Sequence, residues 1–536
     1  MLVCLIFAWF YYLPSELKVL GLNLAAAAIF LANIYTYLFE GDYFGIQSEN
    51  NPILHLWSLA VEEQFYIFYP LALLATLHFK EKFAIIIMAA LALISFIISQ
   101  FLSTYNPSLN FYLLPTRAWE LLIGALIAFY HANRNIQNNN KFIQQSGSLI
   151  GLLLLFYTSV AYNNETPFPS FYALIPTLGA TLIIVFGTHK TYVGKLLGSR
   201  CISDLGLISY SAYLWHQPLF AFARKQSLNA PSTLFMCLLI ISSFLLAYFT
   251  WRYIETPFRN KNRFKRSQIF IFAGLGVSIF LVFGIIGYFN GGYPNRDPLF
   301  ARLGFNNGLS RQCNGNYSIN QACSTGVNPS TAIFGNSYAM HLMDGFISTY
   351  PKVAFVQLTQ DTCSPYKSNQ VKRLGKNDCN MFFESSMATL TQNSEIRNVI
   401  ISADFGSLGY DNNINNFKDA LQSLKDKGKK VILIGPTPNN GTDFGKCFVL
   451  NKVLFKNCNF LRSSIKSDYF DKVRTLRVIS FELRIEFFDL TEVICDNEIC
   501  LSTNKDVLIY RDEGHLSREG SRYVIQRLAK KLELLE

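Results

Sequence analysis

Long apolar stretches fill the first half of the chain, and shorter apolar segments separated by polar residues fill the second half. The clearest long stretches approach or exceed the roughly 20 residues that a helix needs to cross a membrane, some only when aromatic flanks are counted. They lie at 83–102, 121–130, 147–161, 172–187, 233–249 and 268–289. The pattern predicts a polytopic α-helical membrane domain over residues 1–289, with about nine complete helices and one incomplete helix.

The second half of the chain has apolar segments of strand length that alternate with helical segments. The strand-like segments lie at 353–358, 398–402, 430–435 and 485–490, and the helical ones include 416–426 and 517–535. Such alternation indicates a parallel sheet with helices on both faces. We therefore predict an α/β domain over residues 331–536, preceded by a linker and lead-in over 290–330.

The basic residues are distributed unevenly among the loops that connect the apolar stretches. At 51% hydrophobic and 15% charged residues, the chain is too apolar for one large soluble protein, and its net charge is +11. Basic residues gather in alternate loops, at Lys80, Lys82, Arg134, Lys141, Lys190, Lys195, Arg200, Arg259, Lys261, Arg263, Lys265 and Arg266. The loops at 40–51, 103–111 and 162–170 contain no Lys or Arg, and Arg224 and Lys225 are the exception. Because basic loops stay cytoplasmic, the α/β domain is predicted to be extracytoplasmic, and the charge does not indicate nucleic-acid binding.

Cysteine usage agrees with that topology. Three of the eleven cysteines, Cys4, Cys201 and Cys237, lie in or beside apolar helices. The other eight follow the last span in close pairs, Cys313 with Cys323, Cys363 with Cys379, Cys447 with Cys458, and Cys495 with Cys500. An even number fits disulfides in an oxidising compartment, although about 105 connectivities exist and sequential pairing rests on proximity alone. Zinc is the alternative, but the chain has no Cys-x-x-Cys, so we expect no metal.

The start of the chain is apolar but short. Residues 3–12 would not span a membrane, and no charged region precedes them as it would in a signal peptide. We interpret this stretch as the end of a helix whose beginning is missing, so the membrane domain is expected to be incomplete at its N-terminus.

Polar and ionisable residues inside the predicted spans are candidates for a functional site, because such groups are costly at membrane depth. His55, Ser58, Glu62 and Tyr66 lie on or near one stripe of a helix. Arg117 and Glu120 stand three apart on another helix, and the span from Leu205 carries Tyr210, Tyr213, Trp215 and His216. The alternative is that they form buried polar pairs between helices.

Four motifs in the first half carry a resemblance to a known family. They are HLWSLAVEEQFY at 55–66, RAWELLIG at 117–124, SYSAYLWHQPL at 209–219 and WRYIETPFR at 251–259. Together they closely resemble the membrane-bound acyltransferase-3 family. The resemblance implies transfer of an acyl group, usually acetyl from cytoplasmic acetyl-CoA, onto a hydroxyl of a surface glycan across the bacterial inner membrane. It also implies a histidine and an Arg-x-x-Arg motif on a span that would precede residue 1.

Two motifs in the second half point to nucleophilic catalysis. The segment 331–341 reads as strand, tight turn and helix, which places Ser337 at the carboxyl edge of the sheet and at a helix N-terminus. Near the end of the chain, Asp512 and His515 precede another helix. A histidine can take the proton of a serine hydroxyl, and an aspartate can orient the histidine. Met340 and His341 are interpreted as packing residues.

These two motifs resemble the SGNH hydrolase family, which has a Gly-Asp-Ser turn and a C-terminal Asp-x-x-His, and whose domain is a known fusion to acyltransferase-3 proteins. Here Asn336 replaces the usual aspartate, and we expect the change to be tolerated because that side chain shapes the turn. The oxyanion-hole blocks of the family are not clear, although the segment Ser402-Ala-Asp404 stands roughly where the asparagine block belongs.

The two resemblances together imply a surface-glycan O-acyltransferase in the bacterial inner membrane, acting on a glycan such as lipopolysaccharide or peptidoglycan. Acetyl-CoA would be the acyl donor, and the partners would be the lipid bilayer and the glycan, not nucleic acid. Ser337, His515 and Asp512 would be catalytic. One alternative is an extracytoplasmic esterase that removes acetyl groups, since the same three residues can catalyse addition or removal of an acyl group. Another alternative is a polytopic transporter with a fused binding domain.

Overall fold

A computed structural model describes residues 1–39, 49–76, 81–133, 140–163, 165–227, 231–367, 379–409, 412–454 and 457–530. The chain forms two compact units. The first comprises Met1–Phe10 and Ser15–Gly292, and the second comprises Tyr11–Pro14 and Tyr293–Glu536. Lys80, Arg134 and most of the predicted loop at 40–51 lie outside the described residues, as does the end of the last predicted helix.

The first unit is α-helical, and each of the six long apolar stretches lies on a helix. Nine helices within the described ranges of this unit have at least fifteen residues: Pro14–Ala28, Leu56–Thr76, Glu81–Tyr105, Leu114–Asn133, Lys141–Ala161, Phe171–Phe186, Arg200–Gln226, Thr233–Thr250 and Arg266–Phe289. In the part of the chain that the structure describes, five segments are long and apolar enough to cross a membrane, namely Lys82–Tyr105, Pro107–His131, Lys141–Ala161, Thr233–Arg259 and Arg266–Phe289. The predicted polytopic helical domain is therefore confirmed.

Shorter helices complete this unit. They are Leu2–Tyr11, Ala32–Phe39, Pro107–Tyr112, Tyr192–Leu197 and Thr256–Arg259, with a π-helical turn at Trp251–Glu255. The apolar stretch that opens the chain is thus a helix of ten residues.

Small residues allow two of the long helices to pack closely. Helices Lys141–Ala161 and Phe171–Phe186 meet at Gly151 and Gly179, where a Cβ added to Gly151 would lie 2.7 Å from the carbonyl oxygen of Gly179. Side chains larger than hydrogen would force the two backbones apart. Because hydrocarbon provides no hydrophobic force between helices, close van der Waals packing of this kind holds spans together.

The second unit contains a five-stranded parallel sheet. Its strands are β1 (Thr331–Gly335), β2 (Phe355–Thr359), β3 (Asn398–Ser402), β4 (Lys430–Ile434) and β5 (Glu486–Phe488). Their order across the sheet is β2-β1-β3-β4-β5. Helices cover the sheet, at Ser337–Met340, Met343–Thr349, Cys379–Gln392, Asn413–Asp426, Phe444–Leu454, Ser467–Leu483, Thr491–Ile494 and Arg518–Ala529. A short helix, Pro298–Arg302, precedes β1. This architecture confirms the predicted α/β fold.

Both faces of the sheet are buried. Ile333, Ile400 and Ile432 pack into one apolar cluster, whereas Phe334 and Ile401 pack into the other. Successive residues of a strand point to opposite faces, so a sheet covered on both sides needs nearly continuous apolar strands. That requirement explains why the strands were recognisable as short apolar runs.

Disulfides close four loops in the second unit. The bonded pairs are Cys313 with Cys323, Cys363 with Cys379, Cys447 with Cys458, and Cys495 with Cys500. Each bridge joins cysteines that are neighbours in sequence, as proximity suggested. Cys4, Cys201 and Cys237 remain outside the bridges, in the helical unit.

Candidate functional site

The turn after β1 positions Ser337. Gly335 has φ +146°, and an added Cβ would lie 1.9 Å from the carbonyl oxygen of Ser402 on the adjacent strand, so only glycine fits. Asn336 caps the short helix that follows, because its side-chain oxygen accepts the N–H of Tyr338 at 3.0 Å. The chain therefore turns sharply at the carboxyl edge of the sheet and places Ser337 at the first helical position.

Ser337 belongs to a hydrogen-bonded chain of three side chains. Its Oγ lies 2.8 Å from Nε2 of His515, and Nδ1 of His515 lies 2.9 Å from Oδ1 of Asp512. The backbone N–H groups of Gly514 and His515 donate to the same carboxylate oxygen at 3.1 and 2.8 Å. This geometry can remove the proton of the serine hydroxyl and stabilise the imidazolium that results.

Arg511 and His515 keep the carboxylate of Asp512 ionised. Burial alone would raise the pKa of Asp512, but the hydrogen bond from His515 and the charges of His515 and Arg511 hold that pKa well below its usual range. The guanidinium of Arg511 lies 2.9 Å from Oδ2 of Asp512, and its side chain is only 11% exposed. On its other side the guanidinium stacks on the ring of Phe305, 4.4 Å from the ring centroid. Sequence reasoning missed this arginine because charge alone did not distinguish it from other basic residues.

Two further rings pack against His515. Tyr338 lies 4.9 Å and His341 lies 5.9 Å from the His515 ring, measured between centroids. Burial, together with the nearby carboxylates, raises the pKa of the Tyr338 phenol, so the hydroxyl stays protonated. Burial and the charges of His515 and Arg511 lower the pKa of His341 well below its usual value, and its Nδ1 accepts the N–H of Leu516 at 3.3 Å. His341 therefore packs as a neutral imidazole, as the sequence indicated.

Asn336 has a second contact that the sequence did not reveal. Its Nδ2 donates to Oδ1 of Asp404 at 2.7 Å, across 68 positions of chain. Asp404 follows β3 and precedes Phe405, whose ring is buried and whose φ of +52° lies in the left-handed region. The amide thus shapes the turn with its oxygen and binds a carboxylate with its nitrogen.

In the helical unit, part of the predicted polar stripe forms a cluster with His216. Oγ of Ser58 lies 2.6 Å from the hydroxyl of Tyr213, which donates to the backbone carbonyl of His55. The rings of His55 and His216 stand 5.4 Å apart, and Nδ1 of His216 lies 2.6 Å from the backbone carbonyl oxygen of Tyr213. His55 is 5% exposed. The structure therefore joins His55, Ser58 and His216 through Tyr213, which was named among the polar residues of the span from Leu205.

Other predicted residues of the helical unit make contacts of their own. Arg117 pairs with Glu120 at 3.4 Å, and its guanidinium lies 4.9 Å from the centroids of both Trp57 and Phe111. Tyr66 is 57% exposed and stacks edge-on against its neighbour Phe65. Glu62 is half-buried on the same helix. Arg117 and Glu120 thus form a half-buried ion pair within one helix.

Two family models match this chain. Residues 1–252 match an acyltransferase domain, and residues 310–530 match a model described as an SGNH domain fused to AT3 domains. The chain thus matches an acyltransferase-3 domain in its first half and an SGNH domain in its second half. Both resemblances seen in the motifs are confirmed, and the spanning helices of the first unit agree with a multi-pass membrane domain.

Known proteins match over part of their length. The O-acetyltransferase OatA of Staphylococcus aureus strain NCTC 8325 / PS 47 is 29% identical over 273 residues, which are 48% of this chain and 45% of that protein. OatA of strain COL gives the same values. The chain thus spans about half the length of the curated relatives it matches.

One solved structure, the periplasmic domain of a lipopolysaccharide acetyltransferase from Salmonella ser. Paratyphi A, is 16% identical and covers 45% of this chain and 98% of that domain. Its TM-score of 0.38 is too low to carry an argument. Within the ranges that the structure describes, no group of three or more His, Cys, Asp or Glu side chains could hold a metal ion.

Proposed function

We propose that this protein is an O-acyltransferase that moves acetyl groups from cytoplasmic acetyl-CoA to hydroxyls of a surface glycan such as lipopolysaccharide or peptidoglycan. The observation that carries the proposal is the 2.8 Å contact between Ser337 and His515 in an SGNH domain that is fused to an acyltransferase-3 domain. The membrane domain would supply acyl groups to the outer side, and the SGNH domain would place them on the acceptor.

The reaction would proceed in two steps, acylation of Ser337 and transfer of the acyl group to the acceptor. His515 Nε2 takes the proton of Ser337 while the serine oxygen bonds to the acyl carbon, and His515 then returns that proton to the group that leaves. An acceptor hydroxyl next attacks the acyl-serine ester, gives its proton to His515 and departs as the new ester, while Ser337 recovers a proton from His515. Asp512 holds the Nδ1–H tautomer throughout and balances the imidazolium charge.

The membrane domain would contribute its own polar cluster. Ser58, Tyr213, His55 and His216 bring two imidazoles and two hydroxyls together among apolar helices, and we propose them as the site at which an acyl group passes through the bilayer region. Arg117 and Glu120 would stabilise the helix packing around that site, since their charges pair with each other.

The experiment compares ester-linked acetyl on the surface glycan of a deletion strain that carries wild-type protein, Ser337→Ala or Ser348→Ala. Ser348 is a matched control, because it is an exposed residue whose hydroxyl bonds to the carbonyl of Gly345 in its own helix. A transferase predicts that Ser337→Ala loses acetyl like the empty strain, while Ser348→Ala matches wild type. More acetyl in the deletion strain would instead mean an esterase, and an unchanged level would support a transporter.

A further inference from the structure

Phe305 is an exposed aromatic ring on a firmly held loop next to the Ser337 site. The side chain is 64% exposed although it is a large apolar group. The next residue, Asn306, is buried and donates through Nδ2 to the backbone carbonyl of His341 at 3.0 Å. Gln357 bonds the following residues, since its Oε1 accepts the N–H of Leu309 at 2.9 Å. The loop that follows Phe305 is therefore held by hydrogen bonds at Asn306 and at Leu309.

The ring itself is connected to the reacting residues through Arg511. The guanidinium lies 4.4 Å from the centroid of the Phe305 ring and 2.9 Å from the carboxylate of Asp512. Asp512 in turn contacts His515 at 2.9 Å. A buried guanidinium held by a carboxylate is a rigid support, so the Phe305 ring is positioned before any ligand binds, which lowers the entropic cost of binding.

We infer that Phe305 is a stacking platform for a sugar ring of the acceptor glycan. A pyranose has a face of C–H bonds with slight positive charge, and the face of an aromatic ring carries negative charge, so the two faces attract and bury apolar surface. The inference rests on the proposed function, because an acceptor hydroxyl that reaches Ser337 must bring its ring and neighbouring sugars against surfaces beside His515 and Asp512. Phe305 offers such a surface, and the acetyl group alone is too small to need it.

The competing explanation is that Phe305 only shields Arg511 from water. The two explanations differ for leucine, which has apolar volume but no ring face. Shielding requires only apolar cover, so Phe305→Leu would behave like wild type. Stacking requires a flat aromatic face, so Phe305→Leu would resemble Phe305→Ala, and Phe305→Trp would perform at least as well as wild type.

The test uses the full chain in detergent with 4-nitrophenyl acetate as donor. The acceptor is glycan isolated from the surface of the deletion strain and stripped of esters with mild alkali. Released nitrophenol reports formation of the acyl-serine, and acetylated glycan measured by mass spectrometry reports transfer. The readout is the ratio of transfer to release, which does not depend on how much protein is folded.

We expect Phe305→Ala and Phe305→Leu to lower that ratio by about tenfold, which corresponds to one good aromatic stacking contact with its buried area. Phe481→Ala is the matched control, because Phe481 is 86% exposed on the helix Ser467–Leu483. An unchanged ratio in Phe305→Ala, or a wild-type ratio in Phe305→Leu, overturns the inference.

The same assay separates this inference from the proposed function. If Ser337→Ala still releases nitrophenol at the wild-type rate, or if wild type transfers nothing to the glycan, the proposed transferase fails. If wild type transfers acetyl in a Ser337-dependent way and the Phe305 variants keep the wild-type ratio, only the stacking platform fails.

Discussion

The hydrogen bond between Asn336 and Asp404 predicts that restoring the usual family aspartate will damage this protein. In Asn336→Asp, the 2.7 Å donor contact becomes a contact between two carboxylates. The cap on the N–H of Tyr338 survives, because aspartate caps helices as well as asparagine does. The expected loss of activity therefore comes from the changed contact with Asp404 alone.

The magnitude follows from the geometry. Losing a hydrogen bond to a charged group costs about 1.5 to 3 kcal/mol. Two carboxylates about 4 Å apart repel by about 4 kcal/mol at an effective dielectric constant of about 20. One of the two carboxylates can instead take up a proton, which limits the total penalty to about 4 kcal/mol near neutral pH. Protonating an ordinary carboxyl costs about 1.36 kcal/mol for each pH unit above its pKa. If this penalty displaces the turn that positions Ser337, it raises the activation free energy. A rise of about 2 to 4 kcal/mol lowers turnover by about 30- to 1,000-fold.

The loss should depend on pH with a definite sign. Repulsion raises the pKa of the introduced carboxyl above its unfolded value of about 3.9. A raised acid pKa means that the folded variant holds its proton more tightly, so the penalty is absent at low pH and grows as the pH rises through the folded pKa. The ratio of variant to wild-type kcat/KM for 4-nitrophenyl acetate is therefore expected to be higher at about pH 5 than at about pH 8.

Two further variants make the reasoning refutable. Asp404→Asn keeps a neutral amide contact and should lose less than about tenfold. The double variant Asn336→Asp/Asp404→Asn reverses the direction of the hydrogen bond and should recover to within about tenfold of wild type. Wild-type turnover by Asn336→Asp near neutral pH, or a double variant no better than that single one, would show that this pair does not support Ser337.

The remaining predictions concern the triad, the bridges and the topology. Asp512→Asn should lower ester turnover by about a thousandfold or more through loss of tautomer and imidazolium support, and a smaller loss than that of Asn336→Asp would contradict the assigned role. Replacing Cys363 and Cys379 with alanine should lower the free energy of unfolding by about 3 kcal/mol, measured by urea inactivation, whereas an unchanged midpoint would count against the bridge. A phosphatase reporter that is active only outside the cytoplasm should be active after Asn290 and silent after Arg266, and the reverse pattern would place the SGNH domain inside.

Local sequence was sufficient to predict the architecture, because its signals are carried by neighbouring residues. The apolar stretches correspond to helices such as Glu81–Tyr105, and the apolar runs at 398–402 and 430–435 correspond to β3 and β4. The strands are readable because the sheet is buried on both faces. The motifs around Ser337 and His515 were equally visible, since a nucleophile turn and a C-terminal Asp-x-x-His each lie within a few residues.

Contacts between distant residues were decided only by the tertiary structure. Asn336 meets Asp404 across 68 positions, and Ser58 meets Tyr213 across 155. Phe305 and Arg511 come together from opposite ends of the second unit. No local propensity encodes such pairs, because the parallel sheet and the packed helices bring together side chains whose sequence neighbourhoods are unrelated. The sequence therefore determined which residues are candidates for the chemistry, and the fold decided which residues hold those candidates in place.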